Sequence, residues 1–377
     1  MPPRFWRNFD WSLLALSLLA SAAGVVAIAS ATGTSLHDPS VAAFVKRQIE
    51  AMVLGLGVLL VCAAIDYHTW ARWHRALYVL LLALLGAVLI IGRHNYGAQR
   101  WIPIAGFDFQ PSEFGKLLLV IWLAAMLAPR AGQIRHWTQA IWPTLTAAVP
   151  AALVAREPDL GTGLIYAAAL VGVLYAAGFP GERIVLVLVL LVGGGSAAVY
   201  AHLHYHLPLP LKSYQLGRLL SFINPQADPQ NTGWHIIQSE MAIGSGRVFG
   251  TGLFSGGVNN QLQFLPEPQT DFVFASISNI GGFIGGTGVL ALLGLIVWRA
   301  LRCMTVARDA LGGLLVGGVA AILAFQTLLN AAVALGVVPV TGVPLPFFSY
   351  GGSACLANFA AVGILESVYI RRKRIQF

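Results

Sequence analysis

The sequence predicts an all-α polytopic membrane protein of about ten transmembrane helices, with one long extracytoplasmic loop between the seventh and eighth. Three observations carry this. Of 377 residues, 57% are hydrophobic and 10% charged, against roughly 25% charged in ordinary soluble domains. Apolar runs near the ~20 residues that span a bilayer recur along the whole chain. Most segments between them are short and basic.

The spans are expected near 11–31, 49–65, 76–92, 113–129, 140–156, 161–178, 184–203, 271–298, 310–336 and 350–370. The first is followed by further spans, which marks it as an uncleaved helix rather than a signal peptide. No stretch is long enough for a separate soluble domain, so residues 1–377 read as a single integral domain. Three scattered cysteines, Cys62, Cys303 and Cys355, argue against a disulfide framework. Cys62 and Cys355 fall in apolar runs, and Cys303 is read into a basic loop.

Charge sets the orientation. With the N-terminus inside, Arg4, Arg7, Arg72, Arg75, Arg130, Arg135, Arg183, Arg299, Arg302, Arg308, Arg371, Arg372, Lys373 and Arg374 are cytoplasmic, as the positive-inside rule requires. Both termini are therefore assigned to the cytoplasm, and the net charge of +8 reflects loop topology rather than nucleic-acid binding. Orientation does not need Lys46, Arg47, Arg93, Arg100, Lys116, Arg156, Lys212, Arg218 or Arg247, which face outside. Asp108, Glu113, Glu157, Asp159, Asp228, Glu240, Glu267 and Asp271 join them there, so the polar chemistry is expected to be extracytoplasmic.

The long loop, about 204–270, is rich in Pro and Gly, and a loop of that length inside a compact protein is usually functional. Trp234 to Ile243 within it has the makings of a short helix at the membrane surface. The pairs Gly281/Gly285, Gly282/Gly286 and Gly313/Gly317 have the small-xxx-small spacing that lets membrane helices approach closely. His202, His204 and His206 alternate as metal ligands on a strand would, but they lie where a helix leaves the membrane, and a metal site there is not favoured. Gly244, Gly246, Gly250 and Gly252 do not follow a strand in a βαβ setting, which argues against a phosphate loop.

Three charged segments carry candidate chemistry. The stretch from Gln263 to Asp271 runs into an apolar helix and leaves one carboxylate at the membrane boundary, where acids tend to face a cavity. Thr270 and Asp271 also suit a plain helix cap. In the stretch from Arg100 to Lys116, Glu113 and Lys116 stand at i, i+3 on one helix face, fitting a structural ion pair or a polar cavity. From Arg156 to Thr162, three charges and a proline interrupt two apolar runs, and Glu157 and Asp159 have either a structural or a site role.

Taken together these segments resemble the SEDS family, named for shape, elongation, division and sporulation. The matching signatures are Arg100-Trp101, Gln110 to Glu113 with Lys116, Pro158 to Thr162, Tyr214 to Arg218, Asn224-Pro225, and Gly233 to Ser239. Ala242 to Gly246, Leu265 to Glu267, Thr270 to Phe272, and Pro344 to Ser353 complete the series. The wording of Ala242 to Gly246 and the start from Phe5 to Trp11 are closer to the RodA branch than to FtsW. The resemblance implies a ten-helix peptidoglycan glycosyltransferase of the bacterial inner membrane. It would polymerise lipid II outside during cell elongation, release undecaprenyl pyrophosphate, and work with a class B penicillin-binding protein and other elongation-complex membrane proteins.

The resemblance also implies that Asp271 is the essential aspartate; for a single in-line displacement one general base is sufficient, and Asp271 is expected to take the proton from the acceptor's GlcNAc 4-hydroxyl. Arg100, Lys116 and Arg218 are then expected to bind the diphosphate, with Trp101, Glu113 and Glu267 at the substrate. A divalent cation, Mg or Mn, would fall to Glu113, Glu157 or Asp159. Two positions depart from the family: Gln269 replaces a His, and Asn279-Ile280 replaces a Glu-Glu pair. The competing readings are a lipid-linked precursor flippase and a non-enzymatic scaffold.

Overall fold

The computed structural model describes residues 3–33, 35, 38–95, 98–104, 107–205, 208, 213–227, 232–254 and 265–372. The expected His206, Lys212, Asp228, Lys373 and Arg374 lie outside these, as does the side chain of Arg4.

The helices are α1 (Pro3–Asn8), α2 (Trp11–Thr32), α3 (Pro39–Ala64), α4 (Tyr67–Arg72), α5 (His74–Ile91), α6 (Pro111–Leu127) and α7 (Trp137–Arg156). There follow α8 (Leu160–Ala176), α9 (Gly181–Tyr205), α10 (Ser213–Ile223), α11 (Thr232–Ser245), α12 (Val273–Val306), α13 (Ala310–Ala334) and α14 (Gly352–Ile370). Among the described residues nine helices are long and apolar enough to cross a membrane, and the 17-residue α8 is a shorter apolar tenth. These ten fall on the ten expected spans, which makes this a multi-pass membrane protein.

Local chemistry explains the boundaries that differ. The second span begins ten residues early, at Pro39, because Pro suits the first helical turn and the Asp38 carboxylate accepts from the Ser40 amide. The eighth runs on to Val306, so Cys303 is a buried residue of α12 and not part of a loop. All three cysteines are free thiols. The helix expected over 234–243 is present as α11, whereas α10 and a small antiparallel sheet were not foreseen. That sheet comprises β1 (Arg93–Asn95), β2 (Ala98–Ile104) and β3 (Phe107–Phe109), with Arg93 opposite Trp101 and Ile102 opposite Phe109. The three-residue β1 and β3 are too short to announce themselves by alternation, and the seven-residue β2 carries a proline, which argues against a strand.

Glycine spacing gave a mixed result. Gly317 does let α13 close on α8, since a Cβ there would stand 2.7 Å from Ala176 Cβ, while Gly281 and Gly313 face open space. Gly282, at φ +64°, breaks α12. The turn after α11 fills that break: the Phe283 amide donates to the Arg247 carbonyl at 2.8 Å, and Ile284 to Val248 at 3.2 Å. Gly250 (φ +84°) sits so close that a Cβ would lie 2.0 Å from the Ile280 carbonyl oxygen. Two of the loop glycines, Gly246 and Gly250, therefore serve this docking.

Towards the C-terminal ends of α12 and α14, charged groups tie chain segments together. Arg299 of α12 makes a two-pronged ion pair with Asp10 (2.7 and 3.0 Å), whose amide in turn donates to Glu366 of α14 at 3.0 Å. His68 bridges Asp66 and Asp309 at 2.8 and 2.7 Å.

Candidate active site

Asp271 leaves the long loop one residue before the cap of α12. It does not cap that helix: the cap is Phe272, with no side-chain hydrogen bond, which corrects the capping alternative. Its carboxylate is left for other work. The segment is held through its backbone. Asn330 Nδ2 donates to the Asp271 carbonyl at 2.9 Å, Ser349 Oγ to that of Thr270 at 2.7 Å, and the Tyr350 amide to that of Gln269 at 2.8 Å. Pro344 to Ser353, prominent in the sequence, is thus a frame for the acid.

Besides Glu267 of its own segment, the charges around Asp271 come from three others. Burial raises its proton affinity, Glu267 raises it further, Arg100 and Arg218 oppose, and Asp159 adds to the rise, leaving a pKa pushed up to about 6. A base with a pKa near the working pH is suited to proton abstraction. Arg218 Nη1 donates to the Val340 carbonyl at 3.3 Å. Arg100 Nε donates to the Glu157 carbonyl at 3.2 Å and stands 3.9 Å from Asp159 Oδ2, while its Nη2 donates to the Pro158 carbonyl. The loop at 340–343 completes the site: Gly342 takes φ +73°, and a Cβ on it would lie 3.4 Å from Asp271 Oδ2. The same loop packs on the Asp159 turn, where a Cβ on Gly161 would lie 2.6 Å from the Thr341 carbonyl oxygen.

Glu267 is exposed and acts on Asp271 through its charge. It holds a left-handed backbone, φ +46°, uncommon for a residue with a side chain. Its Oε2 accepts from Gln269 Nε2 at 3.1 Å. Gln269 therefore orients a carboxylate that acts on Asp271.

Not every expected residue faces this site. Lys116 is 1% exposed, and its ammonium donates to Glu113 at 2.7 Å and to Gln326 at 3.3 Å. The structural ion pair prevails, and of the three cations expected at the diphosphate only Arg100 and Arg218 act on Asp271. Asp159 is occupied capping α8, accepting from the Thr162 amide and hydroxyl at 3.0 and 2.8 Å. Glu157 is fully buried with neither carboxylate oxygen hydrogen-bonded among the described residues. Burial above all, with Asp159 adding and Arg100 opposing, pushes its pKa up to about 8. Among the described residues no three His, Cys, Asp or Glu side chains gather as metal ligands. Glu113, Glu157 and Asp159 do not fit a bound divalent cation in this arrangement, because one is paired, one is desolvated and one is a cap. His202 and His204 lie in the last turn of α9. Trp101 lies partly exposed on β2.

Asn279, where the resemblance leads one to expect an acid, is a structural staple. Its amide donates to the Ala242 carbonyl (3.0 Å) and Ser245 Oγ (2.7 Å) and accepts from Thr251 Oγ1 (3.1 Å). Sequence reasoning missed Asn330, Gly342 and Val340. The one available signal was an amide at position 330 inside an apolar span, where polar groups are costly unless they bond.

Residues 10–374 match the family model FtsW/RodA/SpoVE, described as a cell cycle protein. The chain belongs to this family. Relatives of the FtsW/RodA/SpoVE chain include the stage V sporulation protein E of Bacillus subtilis strain 168, 35% identical over 95% of this chain and 96% of that one. The "Probable peptidoglycan glycosyltransferase FtsW" of Halorhodospira halophila is 38% identical over 96% of this chain and 90% of the relative. The rod shape determining protein RodA of Thermus thermophilus has a crystal structure that superposes with a TM-score of 0.69 at 28% identity. It covers 97% of this chain and 98% of that one. A chain from a structure of a peptidoglycan synthase complex, described as coordinating polymerization and crosslinking, superposes at 0.78 with 30% identity, over 96% and 97% of the two chains. This FtsW/RodA/SpoVE protein is accordingly a peptidoglycan glycosyltransferase.

Proposed function

We propose that this glycosyltransferase polymerises lipid II during cell elongation, with Asp271 as its general base. One observation carries the reading: the segment of Asp271 is fixed through its backbone by Asn330 and Ser349 while its carboxylate, not spent on capping α12, lies beside Gly342 within the field of Arg100 and Arg218. In a single in-line displacement the acceptor's GlcNAc 4-oxygen forms a bond to the donor's anomeric carbon. The bond from that carbon to the pyrophosphate oxygen breaks, undecaprenyl pyrophosphate departs, and Asp271 takes the hydroxyl proton. General bases contribute about 10² to 10⁴ in rate. Arg100 and Arg218 offset the charge that accumulates on the leaving diphosphate. No step is assigned to a metal: of the acids expected to hold one, Glu113 is paired with Lys116, Asp159 caps α8 and Glu157 is desolvated.

The site end faces outward and both termini lie in the cytoplasm of a bacterial inner membrane, on the strength of the fourteen basic residues assigned inside. The elongation role rests on the RodA-like wording of Ala242 to Gly246 and on the RodA superposition. Identities of 35% and 38% to sporulation and division relatives do not separate the branches. The synthase-complex neighbour supports a class B penicillin-binding protein as partner.

The test is a glycan gel from purified protein and lipid II, with and without its cognate penicillin-binding protein and with chelator. Polymer from the wild type and none from Asp271→Asn supports the reading. Wild-type polymer from Asp271→Asn removes the base assignment, and lipid II movement across vesicles without polymer favours the flippase. Rescue of a strain depleted of its elongation polymerase, but not of its division polymerase, assigns the branch.

A further inference from the structure

Asn330 lies about one turn from the end of α13, 1% exposed, flanked by Leu328, Leu329, Ala331 and Ala332. An unbonded amide in such surroundings costs several kcal/mol, so its bonds reveal its purpose. Both go to carbonyls outside any helix: Asp271 at 2.9 Å and Val343 at 2.7 Å. Because both partners are acceptors, only one orientation of the amide satisfies them. Its Oδ1 has no hydrogen-bond partner among the described residues, so the side chain is committed to these two donations.

The two carbonyls belong to the two halves of the site. Asp271 carries the carboxylate. Val343 follows Gly342, whose backbone lies against Asp271 Oδ2, and the same loop offers the Val340 carbonyl to Arg218. A single side chain thus sets the spacing between the acid and the loop that holds the cation.

Resting on the base reading of Asp271, we propose that Asn330 is a positioning residue for glycosyl transfer, fixing the acid and the 340–343 loop in the relation the reaction needs. Asn330 touches backbone only and does not meet the sugar or the diphosphate. Its loss therefore falls on kcat and spares the binding of lipid II.

The test uses the full chain, purified and assayed with lipid II. Asn330→Ala is expected to lower kcat by about 10²-fold, the scale of a misplacement of roughly 1 Å, with the KM for lipid II within about threefold of wild type. Asn330→Gln, which keeps the donor on a longer arm, should recover part of the rate. Asn358→Ala, which removes a buried amide from α14 away from these bonds, controls for general loss of packing. Wild-type kcat in Asn330→Ala, or a loss that merely follows the folded fraction and is matched by Asn358→Ala, overturns the proposal. Should Asn330→Ala fail to fold, Asn330→Asp carries the test, with the same kcat loss expected and an unchanged kcat overturning it. Asp271→Asn is assayed in parallel. If it stays active, the base reading falls and the proposal with it; if it is dead while Asn330→Ala is normal, Asn330 alone is removed.

Discussion

Lys116 and Glu113 form a 2.7 Å ion pair in which each side chain is 1% exposed, one turn into α6. Removing one partner leaves a charge without compensation in a dry setting, at a cost of about 3 to 5 kcal/mol, whereas replacing both with apolar groups is often neutral. Lys116→Met is expected to lower the thermal midpoint in detergent strongly. The double variant Glu113→Leu/Lys116→Met should recover most of it. A double variant as unstable as the single would show that the pair is needed for more than mutual neutralisation.

The proposed base role of Asp271 predicts an acid limb in the rate profile. With its pKa at about 6, kcat/KM should fall about tenfold per pH unit below that value and level off above it. The same shift affects stability with the opposite preference. The folded state holds the proton more tightly than the unfolded one, so stability falls as pH rises from about 4 to about 6 and is then constant. Asp271→Asn lacks this loss, and should be more stable than wild type at pH 7.5 by comparison with pH 4.5, as thermal melts at both values will measure.

Glu157 differs because its proton is held to higher pH. Its pKa of about 8 keeps it neutral at pH 7, and a glutamine copies that form. Glu157→Gln should polymerise lipid II at pH 7 within about threefold of wild type. Wild-type stability falls between pH 4.5 and 8 relative to Glu157→Gln, because the folded carboxyl retains its proton where the unfolded one loses it. Melting both proteins at pH 5 and 8.5 checks the sign.

Gly250 tests the break in α12. A methyl group there meets the Ile280 carbonyl oxygen at 2.0 Å and must also accept φ +84°. Gly250→Ala should undock the turn that satisfies Phe283 and Ile284, costing about 2 kcal/mol or more. Faster amide hydrogen exchange at 283–284 than in wild type is the expected readout.

Sequence alone settled what depends on local pattern. Ten apolar runs, basic short loops and a lone acid ahead of α12 were legible because hydropathy and charge act over a single span, and the family motifs marked Asp271, Arg100 and Arg218. Even α11 could be placed within two residues of its ends. The functions of those residues were harder to separate, since the same i, i+3 spacing suited either a buried pair or a ligand clamp, and only burial decided it for Lys116.

Tertiary structure alone decided which groups meet. Asn330 and Asp271 are 59 residues apart, Ser349 and Thr270 are 79, and Arg218 reaches Val340 across 122. No periodicity encodes such pairings. They follow from how helices pack and which buried carbonyls then lack a donor, and that accounting can be completed only once every backbone group has been given its place in space.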